Sequence, residues 1–284
     1  ITEGSKAEQI IPYVTFTADE AQTFKMTTEG DYTISGLEYS VNGGDWNPVV
    51  AGGDGVTFGG THGDLRLRGT NSKGTANGPF DYSTITFTDP TVKVACTGDI
   101  RTLLNWKYYD TVDTQNARFI SLFLGCGVLT SAPVLPATTL AGNCYTNMFY
   151  GCTSLTSAPV LPATTLAEGC YNFMFSGCTN LTSAPKLSAD KLAVSCYTYM
   201  FYNCKRLSTV TMLAPASEIN SYSQCCLYWL ILDDGTGTEA SSRTLKVRDE
   251  AAYNMLVDRG YLPAIWQKSA EGTTVLYEND GNIE

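Results

Sequence analysis

Through the middle of the chain, hydrophobic positions recur at a fixed interval of 26 residues. Phe123, Phe149, Phe175 and Phe201 form one column, Leu129, Leu155, Leu181 and Leu207 a second, and Leu135, Leu161, Leu187 and Leu213 a third. Cysteines keep the same interval. Cys126, Cys152, Cys178 and Cys204 align, as do Cys144, Cys170 and Cys196, with Cys225 or Cys226 as the displaced last member. Leu129 to Ala141 is identical to Leu155 to Ala167. Constant periods of this length mark structural repeats, each with an apolar face that only its neighbours can cover. Ile100, Leu103, Phe119 and Leu122 fall on hydrophobic columns upstream, so that segment reads as an imperfect opening copy.

Within a copy, Cys170, Met174 and Cys178 lie four apart with Tyr171 and Phe175 beside them, which predicts a short helix over about Ala167 to Gly177. Leu155, Ala158 and Val160 follow the leucine-rich pattern L-x-x-L-x-L, which predicts a short strand with those three pointing inward. Pro133, Pro159 and Pro185 are read at an outward strand position; each removes a backbone donor, so the strands are expected to be broken.

Outside the repeats the period changes to two. Tyr13 to Ala18, Thr23 to Met26, Leu37 to Val41, Gly55 to Phe58, Asp64 to Arg68, Thr84 to Thr88 and Val92 to Cys96 read as strands of an antiparallel sandwich. Asn42-Gly43-Gly44 is the strongest hairpin signal. After the repeats, Asp233 to Gly237 predicts a turn, Thr244 to Val247 a strand, and Asp249 the N-cap of a helix running to Arg259 with Gly260 as its stop. Leu262, Ile265 and Trp266 are expected to seal the end of the array. The expected class is α+β and multidomain: a linker over 1–11, an Ig-like or jelly-roll-like β-sandwich over 12–92, a leucine-rich-repeat solenoid over 93–232 and a small α/β cap over 233–284.

Charge narrows the functions. Twenty-eight acids against 18 basic residues give a net −10 with no basic cluster, which excludes nucleic acid as an expected partner. No apolar run approaches the roughly 20 residues of a membrane helix, and the opening Ile1-Thr2-Glu3-Gly4 has none of the features of an export signal. Ten cysteines raise the question of disulfides or metal. On the helix reading, Cys170 and Cys178 lie about 12 Å apart, and equivalent cysteines of neighbouring helices about 8 to 10 Å, beyond disulfide reach. A ladder of sulfurs with the lone His62 far away cannot converge on one metal ion. The cysteines therefore read as buried free thiols, with Cys225, Cys226 and Cys96 as the places to look for exceptions.

The columns Phe-x-x-Cys-x-x-Leu, then Ala-Pro-x-Leu, then Leu-Ala-x-x-Cys-Tyr-x-x-Met resemble those of the BspA-like leucine-rich-repeat surface proteins of anaerobic bacteria, over Phe123 to about Leu213. Leu37 to Trp46 is similar to the leader sandwich of such proteins, and Cys226 to Leu230 to their exit rung. Ala132, Ala158 and Ala184 depart from the pattern, standing where a larger aliphatic residue is usual. The resemblance implies an exported or surface-anchored adhesion protein and supplies no catalytic residues.

Catalytic signatures are all explained more simply. Ser188-Ala189-Asp190-Lys191 has Ser-x-x-Lys spacing but fills the slot of Pro162 to Thr165 in the preceding copy. Gly69 to Thr75 lacks the Gly-Lys-Ser/Thr order of a phosphate loop. Asp54, Asp233 and Asp234 lack the spaced donors of a calcium loop, and His62 has no triad partner at a recognisable spacing. The expectation is a non-enzymatic protein with no cofactor or metal, secreted or held at a bacterial cell surface through a signal removed from its N-terminus. Its partner is an extracellular protein or glycan. The candidate binding residues are the outward column Ser131, Ser157, Ser183 and Thr209 and the aromatic set Tyr150, Phe173, Tyr199 and Tyr202. The competing expectations are a structural spacer in a surface assembly and, behind it, an enzyme acting on polysaccharide.

Overall fold

The computed structural model describes residues 10–230 and 235–279. Most of the linker expected over 1–11, and Asp233-Asp234 of the expected turn, lie outside the described residues. The strands are β1 (Val14–Thr17), β2 (Gln22–Glu29), β3 (Leu37–Val41), β4 (Asn47–Pro48), β5 (Val56–Phe58), β6 (Leu65–Gly69), β7 (Ala76–Gly78), β8 (Asp81–Phe87), β9 (Ala95–Thr97), β10 (Thr209–Met212), β11 (Arg243–Val247) and β12 (Thr273–Tyr277); the helices are α1 (Ala216–Ser221) and α2 (Glu250–Asp258).

These strands form three sheets. One is antiparallel with order β4-β3-β6-β1-β9, another antiparallel with order β5-β2-β8-β7, and the third parallel with order β10-β11-β12. Alternation along β1, β2 and β6 buries Val14, Phe16, Phe24, Met26, Leu65 and Leu67, the period-two pattern of one-sided sheets. At the hairpin tip Asn42 and Gly43 both take positive φ, and Gly44 N–H donates to the Val41 carbonyl at 2.9 Å, the primed turn that Asn-Gly favours.

The expected α+β class with a central leucine-rich-repeat solenoid is overturned. Sheet dominates, only two α-helices occur among the described residues, both after Leu213, and no closed coil of strand and helix is formed. The helix expected over Ala167 to Gly177 is a chain of successive turns. Its backbone donors alternate. Cys170, Asn172, Met174 and Ser176 each donate to the carbonyl three residues back, whereas Tyr171, Phe173, Phe175 and Gly177 donate across to Cys196, Thr198, Met200 and Tyr202 of the following copy. Every fourth residue adopts positive φ: Asn143, Asn147 and Gly151, then Gly169, Phe173 and Gly177, then Ser195, Tyr199 and Asn203. Left-handed residues at that frequency are incompatible with an α-helix but give the same four-residue spacing of inward side chains.

The strand half of each copy is also corrected. Leu155 is buried, but Val160 is 77% exposed, while Pro133 and Pro185 are buried instead of facing outward. Alternation runs through Pro185, Leu187 and Ala189, which puts proline inside, where its missing N–H needs no partner.

Equivalent residues of successive copies lie in contact. The rings of Phe123, Phe149, Phe175 and Phe201 stack at 5.4, 5.6 and 5.8 Å within 5° of parallel, and Tyr145, Tyr171 and Tyr197 at 6.0 and 6.1 Å. The first copy packs directly on both N-terminal sheets: Ile85 N–H donates to Leu122, Thr130 N–H to Val94, and Phe16 meets Phe123 edge-on. At the other end β10 pairs β11, and α2 is capped by Asp249, whose carboxylate accepts from Ala252 N–H. The fully buried Trp229 and Trp266 donate their indole N–H to the carbonyls of Tyr261 and Thr236. One apolar core runs from Val14 to Trp266.

All ten cysteines are buried and unbridged, for a reason different from helix spacing. Layers about 5 Å apart lie within the Cα range of a disulfide, but in-register residues project the same way, leaving their Cβ atoms beyond the usual 3.5–4.5 Å. Each thiol of one column instead donates to a carbonyl one layer back: Cys126 to Ile85 at 2.9 Å, Cys152 to Phe123 at 3.2 Å, Cys178 to Phe149 and Cys204 to Phe175 at 3.1 Å. Behind Phe201 the Thr236 hydroxyl makes the same bond. Because a hydroxyl serves in that place, Cys178→Ser is expected to cost about 1 kcal/mol and Cys178→Ala about 2 kcal/mol, by urea unfolding, since only alanine removes the donor. The reverse order would show that the thiol acts by volume alone.

Candidate ligand-binding surface

Three positions in each copy take the left-handed conformation, and their occupants differ in kind. Gly125, Gly151, Gly177 and Asn203 fill one such column, residues that adopt positive φ at little cost. Asn143, Gly169, Ser195 and Gln224 fill a second. The third holds Ser121, Asn147, Phe173, Tyr199 and Tyr228. Bulky side chains there raise the backbone energy by roughly 1–2 kcal/mol each.

Those three aromatics form a strip with two more. Phe173 and Tyr199 stack at 4.5 Å and 7°, the shortest ring separation in the molecule's described residues; Tyr228 follows at 5.1 Å and 44° from Tyr199. Tyr150 leans on Phe173 at 6.4 Å and 48°, and Tyr202 meets Tyr199 edge-on at 5.8 Å. Tyr150, Tyr202 and Tyr228 are 39%, 36% and 45% exposed. Among the described residues no hydrogen bond occupies the hydroxyls of Tyr150, Tyr199, Tyr202 or Tyr228. An aromatic pair contributes about 0.5–1.5 kcal/mol beyond its burial, so the stacking itself does no more than offset the left-handed backbone. Asparagine, as at Asn147, adopts this conformation without that backbone cost.

Four of the five rings were among the sequence candidates, and the structure brings Tyr150, Phe173, Tyr199 and Tyr202 together. Tyr228 was missed because the last copy carries a three-residue insertion around α1: Tyr171 N–H donates to Cys196, but Tyr197 N–H donates to Cys225, 28 residues on instead of 25. Aligning Cys225 with Cys196 would have placed Tyr228 on Tyr199.

The hydroxyl column is in another part of each copy. Ser157, Ser183 and Thr209 are exposed and joined by parallel bridges. Ser131 is not available beside them: its hydroxyl accepts from Cys96 N–H at 2.9 Å and donates to Cys96 O at 2.8 Å, holding the first copy to β9.

The remaining candidates stay apart. Lys191 pairs with Glu218 at 3.1 Å and Asp190 with Arg248 at 3.0 Å, so the Ser188-to-Lys191 stretch is committed to surface ion pairs. His62 sits in an exposed turn with Gly60 and Thr61, and Asp54 is in an exposed loop. Among the described residues no group of three or more His, Cys, Asp or Glu side chains is arranged to hold a metal ion. No described helix is long and apolar enough to cross a membrane. Burial pushes the Cys126 thiol up to about 12, and those of Cys144, Cys152, Cys170 and Cys178 up as well, which leaves them protonated and poor nucleophiles. Compared with protein-family models, with curated proteins and with solved structures, the chain has no match.

Proposed function

We propose that this chain is an extracellular or cell-surface binding protein that recognises a host protein or glycan through the aromatic strip, not an enzyme. The observation that carries the reading is the placing of Phe173, Tyr199 and Tyr228 at left-handed positions, where backbone energetics favour glycine or asparagine and stacking returns only what the backbone loses. Exposed tyrosines with free hydroxyls make broad contacts at low entropic cost, the composition of adhesive surfaces. Resemblance of the repeat columns to BspA-like surface proteins supports the same location and role.

Arrays of extracellular matrix proteins and of glycans, probed with the purified chain, test this. A bound target is expected to lose at least about 30-fold in affinity on Tyr199→Ala with Tyr228→Ala, since truncating even one hot-spot ring costs about 2 kcal/mol. Affinity unchanged by those substitutions removes the strip as the site, and loss confined to Ser157→Ala with Ser183→Ala moves it to the hydroxyl column. Turnover of a polysaccharide abolished by a single Asp or Glu substitution overturns the binding reading.

A further inference from the structure

The column just outside the stacked Phe rings reads Tyr150, Ser176, Tyr202 in three successive copies. Its outer members are exposed tyrosines, and the middle member is a serine with no exposed surface. The Ser176 hydroxyl is buried without a hydrogen-bond partner, though its backbone is fully engaged: its N–H donates to Phe173 O at 3.1 Å and its carbonyl accepts from Gly151 N–H at 2.7 Å. A buried hydroxyl without a partner is destabilising, which a stability role does not repay.

Layer spacing gives the place its dimensions. Tyr150 and Tyr202 are two layers apart, about 10 Å at the usual strand separation. A planar ring midway would lie about 5 Å from each, inside the range in which aromatic pairs attract. Phe173 and Tyr199 stack on each other and touch Tyr150 and Tyr202 in turn, so aromatic rings flank this column. Ser176 has no exposed surface, so the place is closed in this structure; Tyr150 and Tyr202, each more than a third exposed, are the side chains whose turning opens it.

We propose that Tyr150, Ser176 and Tyr202 form a ladder with one rung missing, and that the rung is supplied by an aromatic side chain of a protein partner, whose polar atom satisfies the Ser176 hydroxyl. The inference rests on the strip being the recognition face and chooses protein over glycan. A phenol or indole carries both the flat ring and the hydrogen-bonding atom that the place lacks. A pyranose is not planar, and the Phe173 and Tyr199 faces it would lie against are turned to each other.

Ligand-observed NMR with p-cresol, the tyrosine side-chain analogue, tests this on the whole chain without the partner. Saturable p-cresol binding is expected, with toluene about five-fold weaker for want of the hydroxyl contact. Ser176→Ala should narrow that difference, and Ser176→Tyr, which builds the rung in, should abolish binding while the protein melts no lower than the original. Should Ser176→Tyr unfold, Tyr150→Ala and Tyr202→Ala each remove a wall and are expected to weaken p-cresol binding at least three-fold, about one lost ring contact. Absence of saturable p-cresol binding overturns the proposal, as does undiminished binding by folded Ser176→Tyr or by both wall variants. Methyl glucoside binding in place of p-cresol overturns it in favour of a glycan. Macromolecular binding that depends on Tyr228 but survives Ser176→Tyr counts against the missing rung alone; p-cresol binding with no macromolecular target counts against the adhesion reading alone.

Discussion

Raising the pH of the reduced protein is expected to unfold it cooperatively, with a midpoint between about pH 9 and 10. Burial raises the thiols of Cys96, Cys126, Cys144, Cys152, Cys170, Cys178, Cys196, Cys204 and Cys226 above their ordinary value. A thiol is neutral when protonated, so below the unfolded pKa of about 8.5 both states hold the proton and stability is intact. Above it the unfolded chain releases protons that the folded chain keeps, and stability falls as pH rises. For Cys126 the loss continues to about 12. Each such thiol removes about 1.4 kcal/mol per pH unit, so nine together remove roughly 12, comparable to the whole stability of a typical domain. Near-ultraviolet circular dichroism against pH, under reductant, measures this. A midpoint above pH 11, or a transition releasing only one or two protons, would mean that the cysteines are not in the dry interior.

The second large effect is at Phe175. Its ring is sandwiched between Phe149 and Phe201 at 5.6 and 5.8 Å and is fully buried, so Phe175→Ala is expected to cost about 4 kcal/mol. Two residues earlier the outcome reverses. Phe173→Asn relieves a left-handed backbone and forfeits two ring contacts outside the core, to Tyr199 and Tyr150, so its stability should stay within about 1 kcal/mol of the original. Urea unfolding of the two variants compares them directly. If Phe173→Asn proves as damaging as Phe175→Ala, the strip exists to hold the fold, and the argument for recognition is lost.

Much of the N-terminal part could be read from residue order alone. Alternation along Thr23 to Met26 and Leu65 to Leu67, and the Asn-Gly turn after Val41, are local signals that tertiary packing did not override. The 26-residue columns were equally legible, because identical side chains stacked on one another leave an exact period in the chain. What failed was the conformation between columns. Cys170, Met174 and Cys178 at four-residue spacing fit a helix of 3.6 residues per turn as well as a run of four-residue turns over so short a stretch. Glycine and asparagine at Asn143, Asn147 and Gly151, and again at Gly169 and Gly177, carried the distinguishing signal, since they recur where a helix would gain nothing from them. Aromatics at Phe173 and Tyr199 masked it. The same two residues are the reason the candidate site was visible: they stand in a column with side chains facing outward. Ser131 looked like a member of the hydroxyl column because its contact with Cys96 spans 35 residues, which no local pattern reports.

Along the repeated segment the backbone alternates between a bond within its own layer and a bond to the next, and every stacked column follows from that alternation. Scalar couplings across hydrogen bonds in the deuterated, labelled protein report this one bond at a time. Couplings are expected from the amide nitrogens of Tyr171, Phe173 and Phe175 to the carbonyl carbons of Cys196, Thr198 and Met200. Couplings from those nitrogens to the carbonyls four residues before them would show a helix and contradict the layered arrangement.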